Sequence, residues 1–244
     1  MASEPLISIQ NLWKSFKKNQ VLKGLNLTVN KGESLVILGR SGSGKSVCIK
    51  CIVGLIEADK GKIIVFGSDI TQLKTEALNQ IRIRIGFMFQ NGALYDSMSV
   101  RENLIFTLKH HTKNLDAAEI EKQTMDALES VGLSEAVDKM PSELSGGMRK
   151  RIGMARTLII RPEVILYDEP TSGLDTITAR EISELMVSIQ KKQQTTAIII
   201  THDMACAKAT GDRIMILKEG VIHAEGTYDA LEKNGDEWVR SFFY

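Results

Sequence analysis

Residues 39–46, GRSGSGKS, constrain this chain more than any other stretch. They follow an apolar run, LVIL at 35–38, and precede residues with a helical pattern, so a buried strand runs into a glycine-rich turn and straight into a helix. Strand, loop and helix in that order belong to an α/β sheet, which other parallel strands must complete. The spacing G-x-x-x-x-G-K-[ST] also carries chemistry. Its glycines let the backbone wrap the α and β phosphates of a nucleotide, Lys45 reaches the β and γ phosphates, and the Ser46 hydroxyl ligates Mg2+.

Four further apolar runs, at 63–66, 85–89, 164–167 and 197–200, read as buried strands, with helical patterns between several of them. The fold class is therefore α/β with a mostly parallel sheet, and ligands are expected at the carboxyl ends of its strands. Two regions depart from this alternation. Residues 6–12, 21–29 and 62–65 are short, partly alternating and separated by turn residues, which predicts an N-terminal antiparallel β layer over about 6–30 and 62–66. From about 91 to 143 strand signals stop and helix formers dominate; at 116–131, Ile120, Met125, Leu128 and Val131 fall near helical spacing. That stretch reads as a helical insertion. With no repeat, low-complexity tract or linker, residues 1–244 form one domain with subdomains.

Three strand ends carry candidate chemistry. VILYDEP at 164–170 ends an apolar strand in two acids, and we assign Asp168 to the metal and Glu169 to the general base that polarises an attacking water. His202 follows the run IIIT at 198–201, where an imidazole can hydrogen-bond a γ-phosphate and sense its loss. Gln90 follows the strand at 85–89 and opens the helical insertion, so its amide can touch both metal and water while its position passes movement onward. For the base, either Phe16 or Trp13 offers a π face.

A second phosphate grip lies at 142–157, SELSGGMRKRIGMART, where a serine and two glycines start a helix whose unpaired N–H groups and dipole favour an anion. One nucleotide rarely needs two grips from the same chain. Two other features read as structural: Cys48 and Cys51 lack a second pair or nearby histidine to complete a metal site and read as small buried side chains, and the adjacent His110 and His111 read as surface residues.

Composition narrows the partners. Lys plus Arg total 31 against 30 acids, a net charge of +1 that offers no global attraction to nucleic acid or acidic lipid. No run approaches the roughly 20 apolar residues of a membrane span, and residues 1–10 lack a leader pattern. Three cysteines suit a reducing compartment. The chain is expected in the cytoplasm, with any membrane role arising through a protein partner.

The glycine loop, Gln90, LSGGM at 144–148, YDEP at 167–170, SGLD at 172–175 and His202, in this order, resemble the nucleotide-binding subunit of an ABC transporter across nearly the whole chain. The resemblance implies a P-loop NTPase core with the β and helical subdomains above. It also implies ATP and Mg2+, and a homodimer in which Ser145, Gly146 and Gly147 of one chain grip the γ-phosphate held by the other. Asp175 would connect the sites across the interface. Arg40, Ser41, Gly42, Ser43 and Gly44 would donate backbone N–H groups to phosphate, with Gly39, Lys45, Ser46 and Val47 completing the loop. Phe16, ahead of Val21, Leu22 and Lys23, matches the family's adenine-stacking position better than Trp13. Mg2+ would fall to Ser46, Gln90 and Asp168, and turnover to Lys45, Gln90, Glu169 and His202.

GRSGSGKSV at 39–47, FQNGALYDSMSVRENLIF at 89–106 and TSGLDTITAR at 171–180 are similar to the ATPases of Mla/Mce-type phospholipid transport systems. Those work with an MlaE-like permease and an MCE-domain protein at the cytoplasmic face of the inner membrane. Cys48, Cys51 and Thr176 depart from that pattern. The alternatives are an importer ATPase for amino acids or another polar solute, and a non-transport ABC ATPase acting on ribosome or DNA. The last usually needs two cassettes or a coiled coil, and near-zero net charge weighs against it.

Overall fold

The computed structural model of the protein describes residues 4–112 and 115–244. Residues 1–3 of the N-terminal stretch and 113–114 of the helical stretch lie outside the described residues.

Four strands, β1 (Ile7–Phe16), β2 (Asn19–Val29), β4 (Lys60–Val65) and β5 (Ser68–Asp69), form an antiparallel sheet in the order β2-β1-β4-β5. Six others, β3 (Ser34–Leu38), β6 (Ile85–Met88), β7 (Val164–Asp168), β8 (Thr196–Ile200), β9 (Arg213–Lys218) and β10 (Val221–Gly226), form the main sheet, ordered β10-β9-β3-β8-β7-β6. All its pairings are parallel except β10 with β9.

The helices are α1 (Lys45–Ile52), α2 (Thr75–Arg82), α3 (Val100–His111), α4 (Ala117–Ser130), α5 (Gly146–Leu158), α6 (Thr176–Gln193), α7 (Met204–Thr210), α8 (Tyr228–Glu232) and α9 (Glu237–Arg240).

The apolar runs of the main sheet are continuous because both faces are covered. On β3, Val36 and Leu38 enter a core shared with α3 to α7, while Leu35 and Ile37 enter a second core shared with α1 and the antiparallel sheet. The main sheet is thus the wall between two cores, and its carboxyl edge is held from both sides.

Residues 91–143 contain α3 and α4 and, among the described residues, no strand. Asp116 caps α4 by accepting from Glu119 N at 2.8 Å, and Ser99 and Glu102 form a reciprocal cap on α3. The run at 63–66 belongs to the antiparallel sheet rather than the parallel one; β4 pairs with β1, and Phe66 turns the chain with φ 51°. The sequence reading passed over two strands of the main sheet. β9 carries IMIL, as apolar as any run in the sheet, while β10 alternates at an antiparallel edge and gives a weaker pattern. Among the described residues no helix is long and apolar enough to cross a membrane.

Candidate active site

The loop after β3 is shaped by atoms that exclude side chains. A Cβ on Gly39 would lie 2.5 Å from Ser43 Oγ and 2.7 Å from the Leu217 carbonyl oxygen of β9, so only glycine fits there. Gly44, the residue before α1, has φ 106° and no side chain to cap the helix, which leaves the first N–H groups of α1 open toward the loop. Lys45 Nζ folds back to donate to the carbonyl oxygens of Gly39 at 2.8 Å and Arg40 at 3.3 Å. Burial holds its pKa below the ordinary lysine value, against the opposing pull of Glu169 and Asp168. Ser43 Oγ is buried with no hydrogen-bond partner among the described residues, a polar atom at the loop that a bound anion would satisfy.

β7 supplies the opposite wall. Ser46 Oγ donates to Asp168 Oδ1 at 2.9 Å, joining the first turn of α1 to the end of β7. The next residue, Glu169, has φ 52°, a left-handed conformation that costs a glutamate of order 1–3 kcal/mol. Its N–H donates to the Ile200 carbonyl oxygen at 2.9 Å, which fixes it beside the end of β8. There His202 Nδ1 lies 2.7 Å from Glu169 Oε2, and Lys45 Nζ lies 4.0 Å from Oε1. An ionised carboxylate only accepts, so Nδ1 carries the proton and donates it, leaving Nε2 as the open ring nitrogen. His202 therefore faces Glu169, with its imidazole 68% exposed.

These groups surround one cavity of about 700 Å3. Phe16, Arg40, Ser41, Gly42, Ser43, Gly44, Lys45, Ser46, Val47, Gln90, Glu169 and His202 line it; Asp168 is reached through Ser46, and Gly39 sits against Ser43. Phe16 stands at the rim, half exposed. Trp13 lines a different depression, where its indole donates to Asn11 Oδ1 at 2.9 Å. Asn19 and Val21 also line this cavity; in the sequence Val21 served only as a landmark for Phe16, and Asn19 was not marked.

Ser145, Gly146, Gly147 and Asp175 do not line this cavity. Ser145 caps α5 by accepting from Met148 N at 3.2 Å, so its hydroxyl hydrogen stays available, and no acidic residue stands in the first turn. A Cβ on Gly147 would meet Thr178 Cγ2 at 2.5 Å. Asp175 caps α6, accepting from Ile177 N and Thr178 N at 3.0 Å and from Thr178 Oγ1 at 2.6 Å. The Thr178 hydroxyl holds its carboxyl below the usual carboxylate range.

One buried residue at the site went unmarked in the sequence. Lys150, on α5, donates to the carbonyl oxygens of Gln90 and, at 3.1 Å, of Glu169. It sits in a run of basic residues, MRKR, which reads as a solvated helix face.

Among the described residues no three of His, Cys, Asp and Glu gather to hold a metal ion. The pair Ser46 and Asp168 nonetheless suits Mg2+, an oxygen-seeking ion that keeps several waters and takes phosphate oxygens beside one or two protein ligands. Gln90 lines the same cavity. Cys48 and Cys51 are buried, and burial pushes their thiols up to about 12 and about 11. His110 and His111 are exposed.

Residues 22–172, more than half of the chain, match the family described as ABC transporter. The chain is 38% identical over 236 residues to "Probable ribonucleotide transport ATP-binding protein mkl" of Mycobacterium tuberculosis, covering 97% of this chain and 66% of that protein. It is 40% identical over 225 residues to "Methionine import ATP-binding protein MetN" of Rhizobium johnstonii, covering 92% and 62%. The chain thus spans just under two thirds of the length of these relatives. Its fold matches the dimeric structure of MJ0796, a bacterial ABC transporter cassette, with a TM-score of 0.85 at 30% identity, covering 91% of this chain and 98% of that one. The post-hydrolysis dimer of the same cassette, bound to ADP and Pi, matches at 0.84.

Proposed function

The chain belongs to the ABC transporter family as an ATP-hydrolysing cassette, and from that premise we propose that two copies close head to tail on two ATP molecules to drive a membrane permease. The observation that carries the reading is the convergence on one cavity of the glycine loop, Gln90, Glu169 and His202.

In this reading Phe16 stacks on adenine, and the backbone of 39–44 with Lys45 holds the phosphates. Ser46 and Asp168, with Gln90, would hold Mg2+, which would supply positive charge to offset that of the phosphates. His202 fixes Oε2 of Glu169, leaving Oε1 to accept a proton from the attacking water. The open N-terminus of α5, at Ser145, Gly146 and Gly147, lies outside its own chain's cavity and so serves the partner's γ-phosphate. Asp175, capping α6 at the same surface, contacts the partner's site. Residues 1–244 act as one domain, with the β layer at 6–30 and 62–66 and the helical subdomain at 91–143.

For the cargo we propose phospholipid, moved with an MlaE-like permease and an MCE-domain protein at the cytoplasmic face of the inner membrane, where the cassette is held peripherally. The three stretches at 39–47, 89–106 and 171–180 support this. A second reading, import of an amino acid or another polar solute, is favoured by the 40% identity to a methionine import ATP-binding protein. Purifying the tagged chain from detergent-extracted membranes and identifying co-purifying proteins and lipids by mass spectrometry separates them. An MCE-domain partner with bound phospholipid supports the first; a solute permease with its binding protein supports the second.

A further inference from the structure

Lys150 is 6% exposed and takes part in none of the ion pairs among the described residues. A buried ammonium without a carboxylate partner is expensive unless each of its three N–H groups finds an acceptor. Here each does: the Gln90 carbonyl oxygen, the Glu169 carbonyl oxygen at 3.1 Å and Ser172 Oγ at 3.5 Å. These acceptors lie on two separate segments, one after β6 and one after β7. Met or Leu at this place would fill the space and bridge nothing.

The same stripe of α5 grips the segment that follows Gln90. Gly153 faces Gly92 so closely that a Cβ on Gly153 would lie 2.8 Å from Gly92 Cα. Arg156 donates to the Ala93 carbonyl oxygen and lays its guanidinium over the Tyr95 ring at 5.4 Å. Positions 150, 153 and 156 follow one side of the helix at three-residue spacing. Of the three, only Lys150 also reaches Glu169.

We propose that Lys150 is a positioning residue whose ammonium ties the backbone at Gln90 to the backbone at Glu169, so that the segment at 90–95 and the general base move as one body. The proposal rests on the roles given above to Gln90 and Glu169. Movement imposed on 90–95 by a permease reaches the base through one side chain, and the base's strained backbone, φ 52°, is held on this side by Lys150 and on the other by Ile200.

The test compares Lys150→Met, Lys150→Arg and Glu169→Gln in the full chain by steady-state ATP hydrolysis, fluorescent-nucleotide binding and hydrogen–deuterium exchange. Lys150→Met is expected to lower kcat roughly 10- to 100-fold with KM and nucleotide affinity within about twofold, since misplacing a reacting group costs turnover rather than binding. Without nucleotide, its amides at 90–95 and 169–172 exchange faster than in the parent. Lys150→Arg, which keeps the charge, regains most of the turnover. Unchanged kcat, equal losses in the Met and Arg variants, or unchanged exchange overturns the proposal. If Lys150→Met does not fold, Lys150→Gln takes its place with the same outcomes. A fully active Glu169→Gln overturns the assignment of the base, whereas an inactive Glu169→Gln beside a fully active Lys150→Met overturns this proposal alone.

Discussion

His202 Nδ1 lies 2.7 Å from Glu169 Oε2, and this contact turns the other carboxylate oxygen toward Lys45 and the cavity. A base held by one oxygen has one oxygen left for water. Glu169→Gln, which keeps shape and removes basicity, should bind ATP normally and lose about 10²- to 10⁴-fold in turnover. His202→Ala should lose roughly 10- to 100-fold, and the double variant should be no worse than Glu169→Gln, because residues acting as a unit are non-additive. Steady-state hydrolysis with a nucleotide-binding assay checks all three. Additive losses would show that His202 acts independently of the carboxylate.

Phe16 and Trp13 are both aromatic and both on β1, yet only Phe16 lines the cavity. Stacking on a base is worth about 1–3 kcal/mol, so Phe16→Ala should weaken ATP binding roughly tenfold. Trp13→Ala should leave it unchanged, since the indole is spent on Asn11. A fluorescent-nucleotide titration of the two variants decides between the rings.

Gly153 lies against Gly92 with no room for a methyl group: the nearest atoms to an added Cβ are Gly92 Cα at 2.8 Å and the Gly92 carbonyl oxygen at 3.1 Å. Both are backbone and cannot rotate away. Gly153→Ala should cost about 1–3 kcal/mol, typical of overpacking, and lower the melting temperature by roughly 2–10 °C. Thermal unfolding followed by circular dichroism reads it. An unchanged midpoint would mean that the segment after Gln90 yields without cost.

The thiols give a prediction from direction of ionisation. Cys48 and Cys51 are buried, and their pKa values of about 12 and about 11 keep them protonated near neutrality. The thiolate is the reactive form. Alkylation at about pH 8 should therefore spare both in the folded protein and modify both after unfolding, when their values return to about 8.5. Mass spectrometry of the labelled chain resolves the two states, and rapid native labelling would contradict the packing of α1.

Legibility in the sequence followed how local the physical cause was. Residues 39–46 were readable because glycine, lysine and serine at fixed spacing serve a loop made of its own residues. The acids at 168 and 169 were readable because an apolar strand ends in them. β10 was missed because its exposed, alternating edge carries no continuous apolar run, whereas β9 carries one, IMIL, that was readable and was passed over. Lys150 was unreadable for a different reason. Its neighbours Arg149 and Arg151 are basic too, and nothing local says that the middle one turns inward to carbonyls 60 and 19 residues away. Asn19 and Val21 likewise reach the cavity only through the hairpin of β1 and β2.

Ser145, Gly146 and Gly147 form an open helix start, yet none of them lines the cavity of their own chain. If this end grips the partner's nucleotide, dimerisation needs three things together: ATP in the cavity, an intact α5 start and hydrolysis slow enough to leave the ATP in place. Glu169→Gln supplies the last, so this variant with Mg2+ and ATP should elute at twice its monomer mass and as a monomer without nucleotide. Adding Ser145→Arg puts a large side chain where the phosphate must enter and removes the cap that accepts from Met148 N. A lost cap costs about 0.5–2 kcal/mol, too little to unfold a domain of this size. The double variant should therefore stay folded, bind ATP as a monomer and fail to pair. Size-exclusion chromatography with light scattering checks it. Pairing that survives Ser145→Arg would place the phosphate grip of the dimer elsewhere than α5.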